Sequence, residues 1–465
     1  MSPTARAETV SSRRSAGRNV VATPGAPATA AAPAAAAPAV PRREARPAGA
    51  TRVVRGPQRE RHEPDYMLLV SVVALTAIGL LMIYSSGGVA TAVRTGGDPF
   101  GAVATQLGWG MAGLAGMTLL MRVDYRYLRL ASVPLYLFTL ILLLLVLLPP
   151  IGPIEPVTKY GSTRWLQIGP LPTIHPAEFA KLAMVVYLAH WLAKQGSQVR
   201  SLVHGLIPFL LIAGVCIGLV ALEPDLGTTG VLTLTALTIV FVAGARLWHL
   251  ALLLPVGALG VAAYISVHAY QMQRWTTFLD PWADPLDSGF QTVQGLLSLG
   301  LGGIVGTGLG QSAQPGALTL PNAHNDFIFA LIGQEFGLLG GLAVIALFLF
   351  LAYRGVRIAL GAPDTFGALL ATGVTAWLAL QGLTNIAVVL NLLPITGITL
   401  PFVSDGGSSL VVSFAAVGIL LSISRETLPR GTWNDADPDR GRGYGRPHIP
   451  RPGRPALPVR AGRRP

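Results

Sequence analysis

Residues 66–84 read YMLLVSVVALTAIGLLMIY and contain no charged side chain. About twenty apolar residues in a row is the length that an α-helix needs to cross the hydrocarbon core of a membrane. Apolar segments of similar length recur along the chain, at residues 66–84, 101–121, 130–149, 174–193, 204–222, 228–244, 247–268, 325–352, 366–389 and 409–424. The sequence therefore predicts an all-α, polytopic membrane protein with about ten transmembrane helices.

The composition supports the same fold class. Of the 465 residues, 51% are hydrophobic and 12% are charged, whereas charged residues make up about 25% of a typical soluble domain. The net charge of +12 comes mainly from the two tails and from short loops on one side, which indicates topology and contact with anionic lipid. We therefore expect no nucleic-acid partner. The single cysteine, Cys216, excludes a disulfide or a cysteine metal site within one chain.

The positions of Lys and Arg orient the predicted helices. One side of the membrane receives both tails and the loops that contain Arg122, Arg126, Arg129, Lys194, Arg200, Arg246, Arg354 and Arg357. By the positive-inside rule that side is cytoplasmic, and both termini lie on it. The outer side then receives residues 149–173, 223–227 and 391–408, and a large loop, 270–323, between the seventh and eighth helices. Nearly all unusual polar motifs fall there, so the active surface should face outward.

Two tails flank the predicted transmembrane domain of residues 63–426. Residues 1–62 and 427–465 are rich in Pro and Arg and contain few large apolar side chains. Such segments cannot offset the entropy of ordering, and we expect both tails to be disordered in the cytoplasm. No apolar core of a cleavable signal peptide lies near Met1, so residues 66–84 should act as an uncleaved first span. An organellar transit peptide is the alternative interpretation of the N-terminal tail.

The second outer loop and the fourth helix carry charges that suggest an anionic ligand. Arg164 lies on the outer side, against the positive-inside trend, next to Trp165, which also fits the aromatic belt of a membrane interface. The membrane interface explains Trp165, whereas a negatively charged partner would explain Arg164. Glu178 and Lys181 share one helix face, so they form either an ion pair that eases insertion or a cation site for a phosphate or carboxylate.

Two carboxylates follow the fifth helix, in the sequence Glu-Pro-Asp-Leu-Gly-Thr-Thr that begins at Glu223. Asp225 is placed to cap the sixth helix, which would explain it fully. Glu223 has no evident local donor, because Pro224 stops the helix there. The two carboxylates could also hold a hydrated divalent cation, for which the sequence offers no third ligand.

The large outer loop contains three kinds of sequence. Its first part, Arg274 to Pro285, has two Asp-Pro pairs and predicts irregular backbone. Gln291 then opens a stretch to Leu301 that predicts a short amphipathic helix at the surface. The Gly-rich residues 302–312 follow no strand and contain no Lys, so close packing or a flexible lid is favoured over a phosphate cradle.

The large loop ends in Leu320–Phe327, Leu-Pro-Asn-Ala-His-Asn-Asp-Phe, which places His324 and Asp326 at the mouth of the eighth helix. Ionisable groups at such a position are costly unless they have a role. Asn322, Asn325 and Asp326 are also good helix caps, and from helix physics alone we favour capping over catalysis. A functional site becomes the favoured interpretation when the other outer-side residues are considered, because the Arg, Lys, His and carboxylate side chains can converge around one cavity.

The last outer loop, residues 396–410, is rich in Gly and Ser and leads into the tenth helix. Small residues at this position permit close packing of helices. They also let backbone amides at a helix start approach an anion, and we expect Ser404 and Ser408 to contact a ligand.

Taken together, these motifs resemble those of the SEDS family of bacterial cell-envelope proteins, which contains FtsW, RodA and SpoVE. The matching stretches are Tyr84–Ser86, Gly161–Lys181, Glu223–Gly230, Asp280–Gln294, Pro321–Gly341 and Thr396–Leu410. The resemblance implies that Asp326 matches an aspartate that the family treats as essential. Three positions depart from the family pattern, since Asn322 replaces Glu, Asn325 replaces Thr and Asp405 replaces Tyr.

The resemblance also implies an activity. SEDS proteins are peptidoglycan glycosyltransferases that polymerise lipid II at the outer face of the bacterial cytoplasmic membrane, together with a class B penicillin-binding transpeptidase and other divisome or elongasome proteins. Asp326 would then be the catalytic base, oriented by His324. Lys181, Arg164 and Arg274 would neutralise the departing polyprenyl pyrophosphate, directly or through Mg²⁺ or Mn²⁺. The expected substrate contacts are Arg164, Trp165, Glu178, Lys181, Glu223, Asp225, Arg274, Gln291, His324, Ser404 and Ser408.

Two other functions stay open. A lipid II flippase predicts polar residues at the membrane midplane and broken helices, whereas this sequence clusters its motifs on the outer side. A non-catalytic scaffold of the divisome or elongasome would recruit partners through the tails and tolerate the loss of Asp326. The long, basic, Pro-rich tails favour a division protein similar to FtsW over an elongation protein.

Overall fold

The structure is a computed structural model, and it describes residues 62–89, 98, 100–159, 162–313 and 324–426. The predicted disordered tails lie outside these residues, apart from His62. Asn322, which the sequence suggests as a helix cap, lies outside them as well.

The described chain is mostly helical. Its α-helices are α1 (Tyr66–Ile83), α2 (Gly101–Arg122), α3 (Leu128–Leu147), α4 (Pro176–Gln195), α5 (Ile207–Leu222), α6 (Leu226–Val242), α7 (Leu247–Val267), α8 (Ala269–Leu279), α9 (Phe290–Gly302), α10 (Ile328–Gly361), α11 (Thr365–Val389) and α12 (Gly407–Ser424). Short 3₁₀ turns cover Tyr125–Tyr127, Gly196–Arg200 and Gln311–Ala313, and π turns cover Tyr84–Val89 and Leu202–Leu206.

The predicted fold class is confirmed. Each of the ten predicted spans overlaps one of these helices, namely α1 to α7 and α10 to α12. Within the described residues, seven helices are long and apolar enough to cross a membrane. The count of ten spans and the predicted orientation stay predictions.

The centre of the bundle is formed by α11 and α12. Most residues of these two helices are buried, whereas α7 is exposed along nearly its whole length. Trp377 and Leu378 of α11 are fully buried in the hydrophobic core, as are Val417 and Leu420 of α12. The buried side chains of α11 are therefore held in place by close packing.

A two-stranded antiparallel sheet interrupts the helical pattern, and the sequence analysis did not foresee it. Strand β1 (Ile154–Lys159) pairs with β2 (Ser162–Ile168), with Ile154 opposite Ile168. Alternate side chains of a strand point to opposite faces, so Arg164 and Leu166 share the buried face of β2. Leu166 packs against Leu142 and Val146 of α3, and this contact fixes the hairpin on the bundle.

The start of the large outer loop is helical where the sequence predicted irregular backbone. Helix α8 continues to Leu279, and the irregular chain begins only at Asp280. The prediction was wrong for residues 274–279, because Pro281 restricts only the residue immediately before it, and it is confirmed for residues 280–285. The short helix predicted from Gln291 is confirmed as α9.

The Gly-rich segment after α9 packs against a break in α10. Gly337 interrupts α10 with φ 66° and ψ −164°, which leaves neighbouring amides without helical partners. Leu338 N donates to Gly303 O at 2.9 Å, and Gly308 N donates to Glu335 O at 3.1 Å. A Cβ on Gly306 would lie 2.1 Å from Glu335 O, so only glycine fits this approach. The predicted close packing is confirmed.

Candidate functional site

A polar cavity of about 360 Å³ lies at the end of the bundle that carries the hairpin. Its walls come from β2, the starts of α4 and α6, α8, α9, the segment before α10 and the loop before α12. The lining residues are Ser162, Arg164, Trp165, His175, Glu178, Asp225, Thr228, Tyr270, Arg274, Gln291, Asn325, Asp326, Gly397, Ile398, Thr399, Asp405, Gly406, Ser408 and Ser409. Segments far apart in sequence thus meet around one cavity.

One wall of the cavity is organised by Asp225, which caps α6 as predicted. Its Oδ1 accepts from Thr228 N at 3.0 Å, and its Oδ2 accepts from the Thr228 hydroxyl at 2.8 Å. Arg164 Nη1 lies 3.7 Å from Asp225 Oδ1, and Arg164 Nη2 donates to Pro224 O at 2.5 Å. Burial raises the pKa of Asp225, but the charge of Arg164, the neighbouring His175 and the two bonds from Thr228 hold it below its usual range. Asp225 therefore stays ionised beside the arginine.

His175 stands between two carboxylates in the same wall. Its Nδ1 lies 3.8 Å from Glu178 Oε1, and its Nε2 lies 3.7 Å from Asp225 Oδ2. The ring also lies 5.7 Å from that of Trp165. The sequence analysis missed His175, although its position three residues before Glu178 at a helix start is a signal that could have identified it.

Lys181 lies beneath the cavity and does not line it. Its residue surface is 1% exposed, and Nζ lies 2.7 Å from Glu178 Oε2 and 2.7 Å from Gln381 Oε1. The ammonium also lies 5.4 Å from the centre of the Trp377 ring. The predicted ion pair within α4 is confirmed, and it supports Glu178, the member of the pair that reaches the cavity.

Arg274 extends from α8 into the cavity from the opposite side. Its Nη1 donates to Ile395 O at 3.0 Å, its Nη2 donates to the Tyr270 hydroxyl, and its guanidinium lies 4.5 Å from the centre of the Tyr270 ring. Burial lowers the pKa of Arg274, while Tyr270 and Asp326 oppose the shift. An anion in the cavity would therefore meet one guanidinium from β2 and another from α8.

Asp326 lines the cavity just before the first turn of α10, which begins at Ile328. The expectation that Asn325 or Asp326 caps this helix was wrong, because the cap position is Phe327 and no side chain bonds there. Burial raises the pKa of Asp326 to about 6, and its own backbone amide and Arg274 oppose the shift. The carboxyl is thus a stronger base than an ordinary aspartate and is still mainly ionised at neutral pH.

The loop before α12 holds the backbone next to Asp326. Asp405 N donates to His324 O at 2.9 Å, and Ser404 Oγ donates to Asn325 O at 2.5 Å. His324 and Ser404 do not line the cavity, whereas Ser408, Gln291 and Trp165 do. Burial raises the pKa of Asp405, and His324 opposes that shift. The sequence analysis recorded Asp405 only as an unusual residue.

Glu223 is buried beside the cavity without lining it. Its surface is fully inaccessible, and neither carboxyl oxygen has a hydrogen-bond partner among the described residues. Burial raises its pKa to about 9, with a further contribution from Asp225, while Arg164 opposes the shift. The group is therefore neutral at physiological pH, which disfavours direct contact with a cationic ligand.

The sequence analysis considered a divalent cation, and the described part of the chain contains no set of side chains that would coordinate one. No group of three or more His, Cys, Asp or Glu side chains there could hold a metal ion. Arg164 is paired with Asp225, and Glu178 is paired with Lys181.

A comparison with protein families gives a match over residues 66–428. The family is described as "Cell cycle protein" and groups FtsW, RodA and SpoVE. Among curated proteins, the chain is similar to stage V sporulation protein E of Bacillus subtilis, with 40% identity over 79% of this chain and 98% of that one. It is also similar to the "Probable peptidoglycan glycosyltransferase FtsW" of Nitrosococcus halophilus, with 42% identity over 78% of this chain and 93% of that one.

Two solved structures share the fold. One belongs to work described as "Structural coordination of polymerization and crosslinking by a peptidoglycan synthase complex", with 29% identity and a TM-score of 0.64, over 78% of this chain and 98% of that one. The other is the rod shape determining protein RodA of Thermus thermophilus, with 27% identity and a TM-score of 0.58, over 79% of this chain and 98% of that one.

Proposed function

Because the chain belongs to the family of FtsW, RodA and SpoVE, we propose that it is a peptidoglycan glycosyltransferase that polymerises lipid II. The observation that carries the proposal is a basic carboxyl, Asp326, that faces a cavity bounded by Arg164 and Arg274. A base and two cations around one space are what glycosyl transfer from a pyrophosphate donor requires.

Asp326 takes the proton of the acceptor sugar hydroxyl in this mechanism. A base works best when its pKa lies close to the working pH, because it is then ionised and still binds a proton well. A pKa of about 6 meets both conditions, and burial is its main cause. The hydroxyl oxygen attacks the anomeric carbon of the donor as its proton passes to Asp326. One displacement inverts the configuration and turns an α-linked donor into a β-linked glycan.

The polyprenyl pyrophosphate leaves toward the arginines. Arg274 and Arg164 supply guanidinium groups, and Arg164 Nε is buried without a partner among the described residues. Fixed donors of this kind stabilise charge that develops on a leaving group, because they need no reorganisation during the reaction. His175 contributes a third cation whenever its ring is protonated between Glu178 and Asp225.

A second cavity fits the lipid part of the substrate. It encloses about 280 Å³ between α1, α2 and α12, and its lining is almost entirely apolar, including Leu107, Met111 and Phe414. Gln106 borders it and donates from Nε2 to Ser404 O at 3.2 Å, in the loop that holds the backbone before Asp326. A polyprenyl chain held there would leave its head group close to the polar cavity.

We assign the protein to the bacterial cytoplasmic membrane, with both termini in the cytoplasm and the polar cavity on the outer face. The distribution of Lys and Arg supports this orientation. We also propose a class B penicillin-binding transpeptidase as its partner, which the similarity to a peptidoglycan synthase complex supports. The basic tails favour a role in division.

A flippase is the main rival, and one feature of the fold favours it. Helix α10 is broken at Gly337, and broken helices are common in transporters. The amides at this break are already occupied, however, since Leu338 N and Leu339 N donate to Gly303 O and Ile304 O. The break is therefore a packing site for the Gly-rich segment and offers few free groups to a transported head group.

Reconstitution in vesicles separates the two functions. Fluorescent lipid II is supplied on one leaflet together with the partner transpeptidase, and both polymer formation and transfer of lipid II between leaflets are measured. We expect glycan strands with no acceleration of transfer over empty vesicles. Transfer that depends on the protein, without polymer, would establish the flippase. The absence of both would support the scaffold.

A further inference from the structure

Asn385 of α11 connects two chain segments that form walls of the polar cavity, the segment before α10 and the loop before α12. Its Nδ2 donates to Asp326 O at 2.8 Å and to Ile398 O at 2.8 Å. Asp326 and Ile398 both line the cavity, whereas Asn385 is 1% exposed and lies beneath it. One amide group thus uses both of its hydrogens to join two walls of the site.

The same face of α11 holds the last outer loop at a second point. Gln381, one turn before Asn385, donates from Nε2 to Thr399 O at 3.0 Å. Its Oε1 accepts from Lys181 Nζ at 2.7 Å and from Trp377 Nε1 at 2.8 Å. Of the two wall segments, Gln381 therefore bonds only the last outer loop. Asn385 bonds both that loop and the segment that contains Asp326.

Three successive carbonyls before α10 each accept a hydrogen bond from another segment. Those of His324 and Asn325 are bound by Asp405 N and Ser404 Oγ, which belong to the last outer loop. Only the carbonyl of Asp326 is bound from a transmembrane helix, through Asn385. A buried helix is the more rigid anchor, because packing locks the rotamer of its side chain.

We propose that Asn385 is a positioning residue that sets the direction of the Asp326 carboxylate relative to the last outer loop. The proposal rests on the proposed role of Asp326 as the base. Fixing the carbonyl of residue 326 fixes its backbone torsions and so the direction of its side chain. The same amide holds Ile398, whose neighbour Gly397 lies against the carboxylate, where an added Cβ would be 4.0 Å from Asp326 Oδ2.

The test uses two variants of similar size, Asn385→Asp and Asn385→Leu. An ionised Asp and a Leu both lack the donors, but they differ in polarity, so a defect in common comes from the lost hydrogen bonds. The matched control is Thr375→Val on the same helix, because Thr375 is buried and its hydroxyl has no partner among the described residues.

We expect both Asn385 variants to lower kcat for glycan polymerisation by about 10- to 100-fold, because small misplacements of a reacting group are this costly. The KM for lipid II should change less than about twofold, since Arg164 and Arg274 stay in place. In Asn385→Leu the acidic limb of the pH profile should move to lower pH, because a loosened carboxyl gains water while the guanidinium groups that face it are unchanged. In Asn385→Asp the negative charge of the new carboxylate opposes this shift, so the limb is compared with the wild type only for Asn385→Leu. Thr375→Val should keep the kcat, the KM and the pH profile of the wild type.

Two results would overturn the proposal. One is a kcat within about twofold of the wild type in both Asn385 variants. The other is a loss of kcat in Asn385→Leu with an unmoved acidic limb, which would indicate a general loss of folded protein. If Asp326→Asn itself remains active, the proposed base fails instead. If Asp326→Asn is inactive and the Asn385 variants are normal, only the positioning role fails.

Discussion

Arg164 of the hairpin and Asp225 at the start of α6 form an ion pair in the wall of the polar cavity, with Nη1 and Oδ1 3.7 Å apart. The pair joins two segments that are separated by two α-helices, α4 and α5, in the sequence. Because Arg164 also donates to Pro224 O, its position is fixed before a ligand enters. A fixed guanidinium can bind an anion without losing much conformational entropy.

Replacing Arg164 by Lys tests this arrangement. Lysine keeps the charge but cannot bond Pro224 O and Asp225 while also facing the cavity. We expect kcat/KM for lipid II to fall by about 10- to 100-fold, as for the loss of one charged hydrogen bond. The control is Arg200→Lys, which changes an exposed arginine away from the cavity. Equal activities of the two variants would contradict a role of Arg164 in substrate binding.

The pH dependence of polymerisation should report the base. Asp326 acts only when ionised, and burial raises its pKa to about 6. We therefore expect kcat/KM to be flat above about pH 7, to reach half of its maximum near pH 6 and to fall about tenfold per unit at lower pH. A limb close to 3.9, the value for an ordinary aspartate, would contradict the buried environment of this carboxyl.

Other groups near the cavity could produce a similar limb, and two variants separate them. Asp405 also lines the cavity with a raised pKa, and Asp405→Asn should leave the limb in place. His175→Gln should leave it in place as well. A limb that disappears in either variant would assign it to that residue and not to Asp326.

Gly397→Ala should lower kcat, whereas its cost in stability should equal that of a control variant. Gly397 has φ +73°, and an added Cβ would lie 3.8 Å from Arg164 Nη1 and 4.0 Å from Asp326 Oδ2. The control is Gly152→Ala, because Gly152 has φ +59° and open space around it. Both changes should cost about 1–2 kcal/mol of stability, since left-handed backbone disfavours a Cβ. Only Gly397→Ala should lower kcat, by about tenfold. Equal kcat values in the two variants would contradict the account.

Lys181→Met should destabilise the protein more than it affects substrate binding. It removes the lysine partner of Glu178 and leaves only the more distant His175, and breaking a buried ion pair typically costs about 3–5 kcal/mol. The double variant Glu178→Gln, Lys181→Met should recover most of this loss in thermal unfolding experiments in detergent. If the single variant keeps the wild-type Tm and only its KM for lipid II rises, then Lys181 contacts substrate directly.

The sequence predicted the positions of the helices well, because long apolar segments in a membrane have few alternatives to a helix. It could not predict the β1–β2 hairpin, whose buried Leu166 depends on contacts with α3. It also identified Asp326, Arg164 and Arg274 but not His175. A single histidine before a helix has no distinctive pattern until the fold brings Asp225 to its other side.

The difference between Glu223 and Asp225 was likewise beyond the sequence. Both are carboxylates at the end of one helix, and the local pattern assigned a cap to one of them. The fold places Asp225 beside Arg164 and Thr228, whereas both oxygens of Glu223 lack partners among the described residues. Burial raises the pKa of Glu223 to about 9, whereas Arg164 and the bonds from Thr228 hold the pKa of Asp225 below its usual range despite burial. Such a separation depends on distances that no local pattern contains.

The central claim is that Asp326 is the base of glycan polymerisation, and the most direct measurement is the rate at which Asp326→Asn polymerises lipid II. The amide has the shape of the carboxylate and cannot accept the proton. The matched control is Asp287→Asn, which removes an exposed carboxylate from the same outer loop. With both variants folded and bound to the partner transpeptidase, we predict a rate at least about 100-fold below wild type for Asp326→Asn and a wild-type rate for Asp287→Asn. Polymerisation by Asp326→Asn at the wild-type rate would contradict the account.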